Sequence, residues 1–416
     1  MKAQPGLSLT RLEHYEPLIG RAGVARIRKK ARALSGVRVV HVNSTRHGGG
    51  VAEILSSLTP LMNDLGMATL WRVIRGSAGF FDFTRTMHDA LQGQRVALAR
   101  MNTRVYERVV RENALRHRLH LERSLVVVHD SQPAALIQHC AKSAPWVWRC
   151  HVDLSGPDPG AWRYLVPFIE KYDAVVLSCP EYAQALRVAQ RFFLPAIDPF
   201  SPKNRPLGAR DIDERLARYR IPTDLPLVVQ VSRFDRWKDP QGVIDAFNIA
   251  RRKVPATLVL LGNFAADDPL GAEVFEDLMR RREERILILP HGDDAALVNA
   301  LQRRAAVVLQ KSLREGFGLT VTEAMWKGTP VIGGAVGGIP RQIDDGESGF
   351  LVSSVEEAAE RLVELLRDAG LRARMGRRAR EKVRANFLLT RYLEQYLDLF
   401  ASLTEAGQTE RLARAA

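Results

Sequence analysis

Cysteine is scarce in this chain, which contains only Cys140, Cys150 and Cys179. Thiols this few and this scattered do not form a disulfide framework or a Cys-rich zinc site, which agrees with a reducing compartment. No apolar run reaches the roughly 18 residues that a membrane-spanning helix requires. Residues 1–10 also lack the basic head and apolar body of a signal peptide. These absences predict a cytoplasmic protein without a membrane partner.

Aromatic residues are also few, at 7%, whereas the formal net charge is high, at +14. A basic chain invites a nucleic-acid interpretation. The densest basic clusters, residues 26–32 and 372–384, nevertheless lie in helical stretches with few aromatic residues among them, which is typical of solvated helix faces. We therefore expect small-molecule ligands and no nucleic-acid partner. The oligomeric state stays open, with a homodimer among the alternatives.

The length of 416 residues exceeds what one ordinary hydrophobic core accommodates, so two domains are predicted. Strand patterns alternate with helical patterns in both halves, which predicts α/β domains with doubly wound parallel sheets covered on both faces. The polar segment 195–206 is broken up by prolines and is the candidate linker. We expect Rossmann-like domains over residues 1–200 and 201–386, and a helical tail over 387–416 that packs back on the first domain.

Six strand patterns precede this segment and six follow it. The first six cover residues 37–43, 68–74, 125–128, 146–151, 174–178 and 191–194. The second six cover residues 227–232, 257–262, 286–289, 305–310, 330–333 and 350–352. A long helical pattern then runs from about Ser354 to Leu403 and is interrupted near Asn386. In such sheets ligands bind beyond the carboxyl ends of the strands, so functional residues are expected there.

A glycine turn and the start of a helix follow the strand at 305–310. Their residues are Gly316, Phe317, Gly318, Leu319 and Thr320. The glycines let the backbone approach a ligand, and the N–H groups at the helix start direct partial positive charge outward, which predicts a phosphate site. Glu315 and Glu323 flank the turn, and since phosphate repels carboxylates, sugar hydroxyls are their natural partners. The alternative is a glycine-rich turn with a capping acid and a surface glutamate.

A second unit of this kind lies near the start of the chain. The strand at 37–43 precedes a glycine loop, and a helical pattern over 51–65 follows the loop. The glycines of the loop are Gly48, Gly49 and Gly50. A phosphate group could again bind at the helix start. The spacing is not GxGxxG, so a nicotinamide-type dinucleotide site is not supported.

Arg233 and Lys238 follow the strand at 227–232 and stand at its carboxyl end, near the same sheet edge as Glu315. A guanidinium binds a diphosphate through two parallel hydrogen bonds, and an ammonium binds it as a point charge. A solvated basic loop is the alternative for this fragment alone. Its pairing with the Glu315 turn favours a binding role.

These residues resemble the donor site of retaining glycosyltransferases of family 4, which have the two-domain GT-B fold. The motifs in the second half are Arg233 with Lys238, Glu315-Gly-Phe-Gly, Glu323 and Gly337-Gly-Ile-Pro340. Those in the first half are Val42-Asn-Ser-Thr45, Gly48-Gly-Gly-Val-Ala-Glu53, Phe80-Phe81, His88 with Leu91-Gln-Gly93, Val128-His-Asp130 and Trp148-Arg-Cys-His-Val-Asp-Leu-Ser155. Together they are similar to the trehalose glycosyltransferring synthases over nearly the whole chain. The resemblance implies two Rossmann-like domains that face each other across a cleft.

The resemblance also implies roles for the second-half residues. Arg233 and Lys238 hold the leaving diphosphate of the donor. Glu323 binds the ribose hydroxyls, and Glu315 lies near the donor sugar. Backbone N–H groups from Phe317 to Thr320 bind glucose hydroxyls or phosphates of the donor, where they act as fixed hydrogen-bond donors.

For the first half, the resemblance implies that the loop from Gly48 to Gly50 approaches the donor diphosphate. His151 resembles an active-site histidine that contacts the donor sugar. Asp130 resembles an acceptor-binding aspartate, and Asp153 is a second acceptor contact. A core histidine and capping aspartates are the alternatives for these residues. One departure from the wider family is Asp239, where many members have glycine, and it puts the geometry of that loop in question.

The implied activity is transfer of glucose from a nucleoside diphosphate glucose to free glucose, which forms α,α-1,1-linked trehalose with retention. The family favours front-face attack, in which a donor phosphate oxygen takes the acceptor proton, over a double displacement with Glu315 as nucleophile. No tightly bound cofactor is expected. No metal is required because Arg233 and Lys238 supply positive charge, although a stimulatory role of Mg2+ stays open.

Three alternatives remain. The first is a family 4 transferase with another acceptor; a phosphorylated acceptor requires a basic cluster in the first domain, for which Arg46 and Arg149 are the candidates. The second is a trehalose phosphorylase on the same fold. The third is a non-catalytic sensor of sugar nucleotides. The nucleotide base and the preferred direction of reaction are left open.

Overall fold

The computed structural model describes residues 11–97, 103–263 and 269–415. The chain forms two compact units, the first from Met1–Pro195 with Leu389–Ala416 and the second from Ala196–Leu388. Each unit contains one six-stranded sheet, and the pairings within both sheets are parallel. The prediction of two Rossmann-like α/β domains is confirmed, and each sheet contains the six strands that the sequence pattern assigns to it.

The sheet of the first unit contains β1 (Arg38–Asn43), β2 (Ala68–Val73), β3 (Leu125–His129), β4 (Trp146–Arg149), β5 (Ala174–Leu177) and β6 (Gln190–Phe192). Its helices are α1 (Glu16–Arg32), α2 (Gly50–Asp64), α3 (Ala78–Leu91), α4 (Thr103–Leu121), α5 (Pro159–Ile169) and, from the end of the chain, α13 (Leu389–Ala415). The strand order is β2-β1-β3-β4-β5-β6. The order reverses between β1 and β3, and doubly wound sheets bind ligands at such a point.

The central strands of this sheet are largely apolar, which suits strands that helices cover on both faces. Every residue of β3, β4 and β5 is buried. The last helix, α13, packs against α1 and α2. Its inward residues Leu393, Leu397 and Phe400 are buried, and this apolar contact carries most of the docking energy. The ion pair between Arg26 and Glu394, at 2.7 Å, lies at the exposed rim and adds little.

The sheet of the second unit contains β7 (Leu227–Arg233), β8 (Thr257–Asn263), β9 (Ile286–Leu289), β10 (Val307–Gln310), β11 (Val331–Gly334) and β12 (Phe350–Val352). Its helices are α6 (Ala209–Arg218), α7 (Pro240–Arg251), α8 (Pro269–Met279), α9 (Ala295–Arg304), α10 (Leu319–Trp326), α11 (Val355–Arg367) and α12 (Ala369–Asn386). The strand order is β12-β11-β10-β7-β8-β9. The reversal falls between β7 and β10, so the ligand site of this unit is expected beyond these two strands.

The C-terminal helical tail differs from the predicted pattern in one respect. The predicted interruption near Asn386 is present, because α12 ends there and α13 begins at Leu389. A further break lies at Asp368, whose side chain accepts a hydrogen bond from the backbone N–H of Leu371 at 2.8 Å and so begins α12. Aspartate is a strong helix N-cap, and the hydrophobic periodicity alone does not reveal this restart.

The proline-containing segment 195–206 is held against α9. The buried side chain of Asn299 donates to the carbonyl oxygens of Pro202 and Arg205 at 3.0 and 2.8 Å. Arg303 donates to the carbonyl oxygen of Asn204 at 3.0 Å. The segment is therefore ordered, although it contains no helix or strand. Within the described residues, no helix combines the length and the apolar character needed to cross a membrane.

Candidate functional site

The strands β7 and β10 are neighbours in the second unit, so the loops that follow them meet at one sheet edge. Val228 pairs with Val307, so both strands run to the same sheet edge, where β7 extends two residues beyond β10. The loops are joined directly by a hydrogen bond from the backbone N–H of Leu313 to the carbonyl oxygen of Trp237, at 2.8 Å. Of the predicted residues, Arg233 ends β7, and Lys238 and Glu315 lie in this pair of loops.

Two ion pairs connect the loops. The Nζ of Lys238 lies 2.6 Å from the Oε2 of Glu315, and the Nζ of Lys311 contacts the carboxylate of Asp239. Each loop thus supplies one cation and one carboxylate, and all four side chains are largely buried. Ser312 donates a longer bond, at 3.4 Å, to the same oxygen of Glu315. The structure therefore brings Lys238 and Glu315 together and clamps their loops twice.

Asp239 occupies the left-handed region of the backbone map, with φ 49° and ψ 50°. Glycine adopts this conformation without cost and aspartate tolerates it, so the backbone of the loop accepts either residue. The Asp239 side chain also caps α7 by accepting from the N–H of Gly242 at 3.1 Å. A Cβ at Gly242 would lie 2.3 Å from the carboxylate. The departure at Asp239 therefore keeps the loop conformation and adds a contact to Lys311.

The glycine turn has the predicted form of a helix start. Gly318 has φ 85° and precedes α10 without a side-chain cap. The N–H groups of Leu319 and Thr320, in the first turn, have no acceptor among the described residues. A Cβ at Gly338 would lie 2.7 Å from the Cα of Phe317, so glycine at 338 is what lets the two loops approach. The turn thus presents backbone donors at the sheet edge.

Gln342 supports the turn and is not among the residues that the sequence motifs predict. Its fully buried amide donates to the carbonyl oxygen of Phe317 and accepts from the hydroxyl of Thr322 on α10. A second, longer contact reaches the carbonyl oxygen of Gly318 at 3.4 Å. The sequence feature that could have identified Gln342 is its position, as a polar residue two positions after Pro340 of the Gly337-Gly-Ile-Pro340 motif. Its function depends on a contact between distant segments that spacing does not show.

Two further predicted residues, Arg233 at the end of β7 and Glu323 in α10, make different contacts. Arg233 ends β7, is more than half exposed and donates to the carboxylate of Asp235 at 3.1 Å. Glu323 is buried within α10, and Lys327 bonds only to its backbone oxygen, at 3.1 Å. No described residue donates to the Glu323 carboxylate. Both residues therefore keep hydrogen-bonding capacity that could serve a ligand.

In the first unit, the loop between β1 and α2 contains the predicted glycines. Gly48 and Gly49 have φ values of 75° and 79°, and a Cβ at either position would meet open space. Glycine is thus needed there for backbone conformation rather than for packing. Gly50 begins α2, and Glu53 lies in the first turn of the helix. A carboxylate in this turn opposes the binding of an anion at the helix start.

Asp130 and His151 are joined in the first unit. The Oδ1 of Asp130 accepts from the backbone N–H of His151 at 2.7 Å, and Asp130 itself has φ 63°. Burial raises the pKa of Asp130 to about 6, against the opposing effects of this hydrogen bond and of the positive charge of Arg149. The Nε2 of His151 lies 3.0 Å from the Nδ1 of His129. Asp153 accepts from the N–H of Ser155 at 2.8 Å, as in a capped turn.

The two arginines considered for a phosphorylated acceptor differ in access. Arg149 is fully buried and donates to the carbonyl oxygen of Phe193 at 2.9 Å and to the hydroxyls of Ser178 and Tyr392, each at 3.3 Å. Arg46 is exposed and lies over the ring of Trp71, 4.6 Å from its centroid. Arg149 is therefore a structural residue, and it does not join Arg46 in a surface basic cluster.

Two family models match the chain. The model of the trehalose synthase N-terminal domain matches residues 41–184, and the model of glycosyl transferases group 1 matches residues 211–382. Trehalose synthase of Pyrococcus horikoshii is 46% identical over 401 residues, which cover 94% of this chain and 96% of that protein. Trehalose synthase of Thermococcus litoralis is 43% identical over 400 residues, which cover 94% of this chain and 97% of that protein.

Solved structures share the fold at lower identity. The trehalose-6-phosphate protein from E. coli bound with UDP-2-fluoro glucose has a TM-score of 0.71 at 13% identity, covering 88% of this chain and 99% of that chain. Among the described residues, no cluster of three or more His, Cys, Asp or Glu side chains is arranged to hold a metal ion.

Proposed function

We infer the activity of this chain from its family: it belongs to the trehalose synthases, which are glycosyltransferases, and it has the GT-B fold. Within this family, we propose a retaining glucosyltransferase that forms α,α-1,1-linked trehalose from a nucleoside diphosphate glucose and glucose, in a reversible reaction. The observation that carries the proposal is the contact of Lys238 with Glu315 beside the glycine turn, with Arg233 at the end of β7, where the strand order of the second sheet reverses.

The donor is proposed to bind at the glycine turn and the two cations. Arg233 binds the diphosphate through its exposed guanidinium, and Lys238 binds it as a point charge. The N–H groups of Leu319 and Thr320 add fixed donors at the start of α10. Glu323 accepts from the ribose hydroxyls. The E. coli neighbour is bound with UDP-2-fluoro glucose, which supports a nucleotide sugar as donor.

The cations contribute most when the glycosidic bond breaks, because negative charge then grows on the departing diphosphate. Glu315 is a poor candidate for a covalent nucleophile, since its Oε2 is bonded to the ammonium of Lys238 and to Ser312. We therefore propose front-face attack. The acceptor hydroxyl attacks the anomeric carbon on the face that the diphosphate leaves, and a donor phosphate oxygen takes its proton. A glucosyl adduct found on Glu315 by mass spectrometry would contradict this mechanism.

The first unit is proposed to supply the remaining groups. His151 contacts the reacting sugar through its Nδ1. This ring nitrogen has no hydrogen-bond partner among the described residues, whereas the Nε2 is bonded to His129. The loop at Gly48–Gly50 offers backbone donors to the donor substrate. Asp130 and Asp153 bind acceptor hydroxyls through the carboxylate oxygens that their backbone contacts leave open.

Glucose is favoured over a sugar phosphate as acceptor. A phosphorylated acceptor requires a cluster of accessible cations. Of the two candidates, Arg149 is fully buried and held by three protein groups, so only Arg46 is accessible. A single exposed arginine stacked on Trp71 supplies little discrimination in favour of phosphate.

A donor screen tests the proposal. The purified protein is incubated with ADP-, UDP- or GDP-glucose and glucose, and both the nucleoside diphosphate and the disaccharide linkage are measured. We expect trehalose with at least one donor. Consumption of glucose 6-phosphate but not glucose would overturn the acceptor assignment. Cleavage of trehalose only with inorganic phosphate would indicate a phosphorylase, and binding of donor without turnover would indicate a sensor.

A further inference from the structure

Three histidines of the first unit form a hydrogen-bonded row. The Nδ1 of His41 lies 3.0 Å from the Nε2 of His129, and the Nδ1 of His129 lies 3.0 Å from the Nε2 of His151. The centroids of neighbouring rings are 5.3 Å apart in both pairs. The row therefore connects His151, which the proposed function uses, to two residues that it does not use.

The register of the parallel sheet builds this row. His41 on β1 pairs with Val127 on β3, and His129 lies two residues further along β3. His129 pairs in turn with Arg149 on β4, and His151 lies two residues beyond it. Side chains two residues apart on a strand point to the same face, so the three rings are diagonal neighbours on one side of the sheet.

The two ends of the row have different surroundings. His41 is fully buried, and its Nε2 is a buried atom without a hydrogen-bond partner. The ring of Tyr396 stands beside it, with centroids 6.0 Å apart and planes at 81°. At the other end, His151 is only partly buried, and its Nδ1 takes no bond from the described residues. No described group is hydrogen-bonded to the Nε2 of His41 and could deliver a proton to it, so the row does not conduct protons through the protein.

Burial keeps the rings neutral. It lowers the pKa of His41 to about 3 and the pKa values of His129 and His151 well below the usual range, and the positive charge of Arg149 acts in the same direction on the last two. A neutral imidazole carries one N–H group and one acceptor nitrogen. The two bonds of the row therefore couple the tautomers, and the position of the proton on one ring fixes the other two.

Two arrangements keep both hydrogen bonds. If every N–H points towards His151, then His151 carries its free proton on Nδ1, and the buried Nε2 of His41 is a bare acceptor. If every N–H points the other way, the Nε2 of His41 is a buried donor without a partner. Orphaned buried N–H groups are rare in proteins, so the first arrangement is favoured.

We propose that His41 and His129 are positioning residues that hold His151 as the neutral tautomer with its proton on Nδ1. His151 then presents a hydrogen-bond donor, and not an acceptor, to the reacting sugar. This inference rests on the role of His151 in the proposed function. His129 fixes the orientation of the His151 ring and its tautomer, and His41 fixes the tautomer of His129.

Nitrogen NMR of the protein labelled with ¹⁵N-histidine tests the row. Long-range correlations between ring protons and ring nitrogens identify the tautomer, and loss of signals in His151→Gln assigns the resonances of that residue. We expect the wild-type His151 to be protonated on Nδ1. In His129→Phe, and in His129→Gln as a second variant, we expect mixed tautomers and a fall in kcat of roughly ten- to a hundredfold, with little change in donor KM. His139→Gln, an exposed histidine outside the row, is the control and should match the wild type in both measurements.

The outcomes separate this inference from the proposed function. Protonation of the wild-type His151 on Nε2 would overturn the inference, whatever the variants do. An unchanged His151 tautomer in a folded His129 variant would also overturn it. A changed His151 tautomer with an unchanged kcat would show that the tautomer does not affect catalysis, and this would contradict the proposed role of His41 and His129. Formation of trehalose by the wild type tests the proposed function itself and does not depend on the NMR result.

Discussion

The ion pair between Lys238 and Glu315 gives a prediction that separates stability from catalysis. The two charged atoms are 2.6 Å apart, and the side chains are 17% and 10% exposed. Removing one partner of a buried pair costs about 3–5 kcal/mol. Because water reaches this pair to a small extent, we expect Lys238→Met to cost about 2–3 kcal/mol of unfolding free energy. Glu315→Gln should cost a similar amount.

The double variant Lys238→Met/Glu315→Gln should be more stable than the sum of the single effects implies, because neither charge is then left without its partner. We expect a coupling energy of about 2 kcal/mol, measured by urea unfolding in a double-mutant cycle. The pair of Lys382 and Asp344, with the same 2.6 Å separation but an exposed carboxylate, is the control and should show a coupling below about 1 kcal/mol. Additive losses at Lys238 and Glu315 would refute the contact.

The same variants test the catalytic role of Lys238. Loss of a fixed cation at the departing diphosphate should lower kcat/KM by roughly 100- to 1000-fold. The double variant should be as inactive as Lys238→Met, although it loses less stability than the sum of the single effects, because the charge that grows on the diphosphate still lacks the ammonium. Recovery of activity in the double variant would mean that Lys238 only holds the loop.

Two further predictions concern the carboxylates. Glu323→Ala should chiefly raise the donor KM, whereas Glu315→Ala should lower kcat more than it raises KM, and steady-state kinetics with varied donor separates the two. Near-normal kcat in Glu315→Ala would make Glu315 structural. For Asp130, the folded pKa is raised from 3.8 to about 6, so the wild type loses stability as the pH rises through this window. Asp130→Asn keeps the acceptor for His151 without the charge, so its stability relative to wild type should rise by about 2 kcal/mol between about pH 4 and pH 7. A difference that does not change with pH would contradict the raised pKa.

The fold could be predicted from the sequence because its signals are local. Each strand is a short apolar run, and the glycine turn before α10 is a continuous motif that ends at Gly318. The sequence predicts that Glu315 and Lys238 lie at the same sheet edge, because both residues follow strands of the second sheet. It does not predict their direct contact, because the contact requires β7 and β10 to be neighbours and hydrophobic periodicity does not reveal strand order.

The histidine row was missed for the same reason. His41, His129 and His151 each sit near the carboxyl end of a strand, and the sequence shows this much. Only the register, with its offset of two residues at each step, places the rings on one face and in contact. Lys311 likewise has no distinguishing feature in the sequence, and only the structure shows its ion pair with Asp239. Contacts between distant segments carry the parts of the site that spacing cannot predict.

Transfer of glucose to glucose with retention is checked best on the reaction product. The protein is incubated with the donor that turns over best and with glucose labelled with ¹³C at C1, and the product is analysed by NMR. We expect trehalose in which one anomeric carbon carries the label and both anomeric centres are α. A product with a reducing end, or with a β linkage, would contradict it.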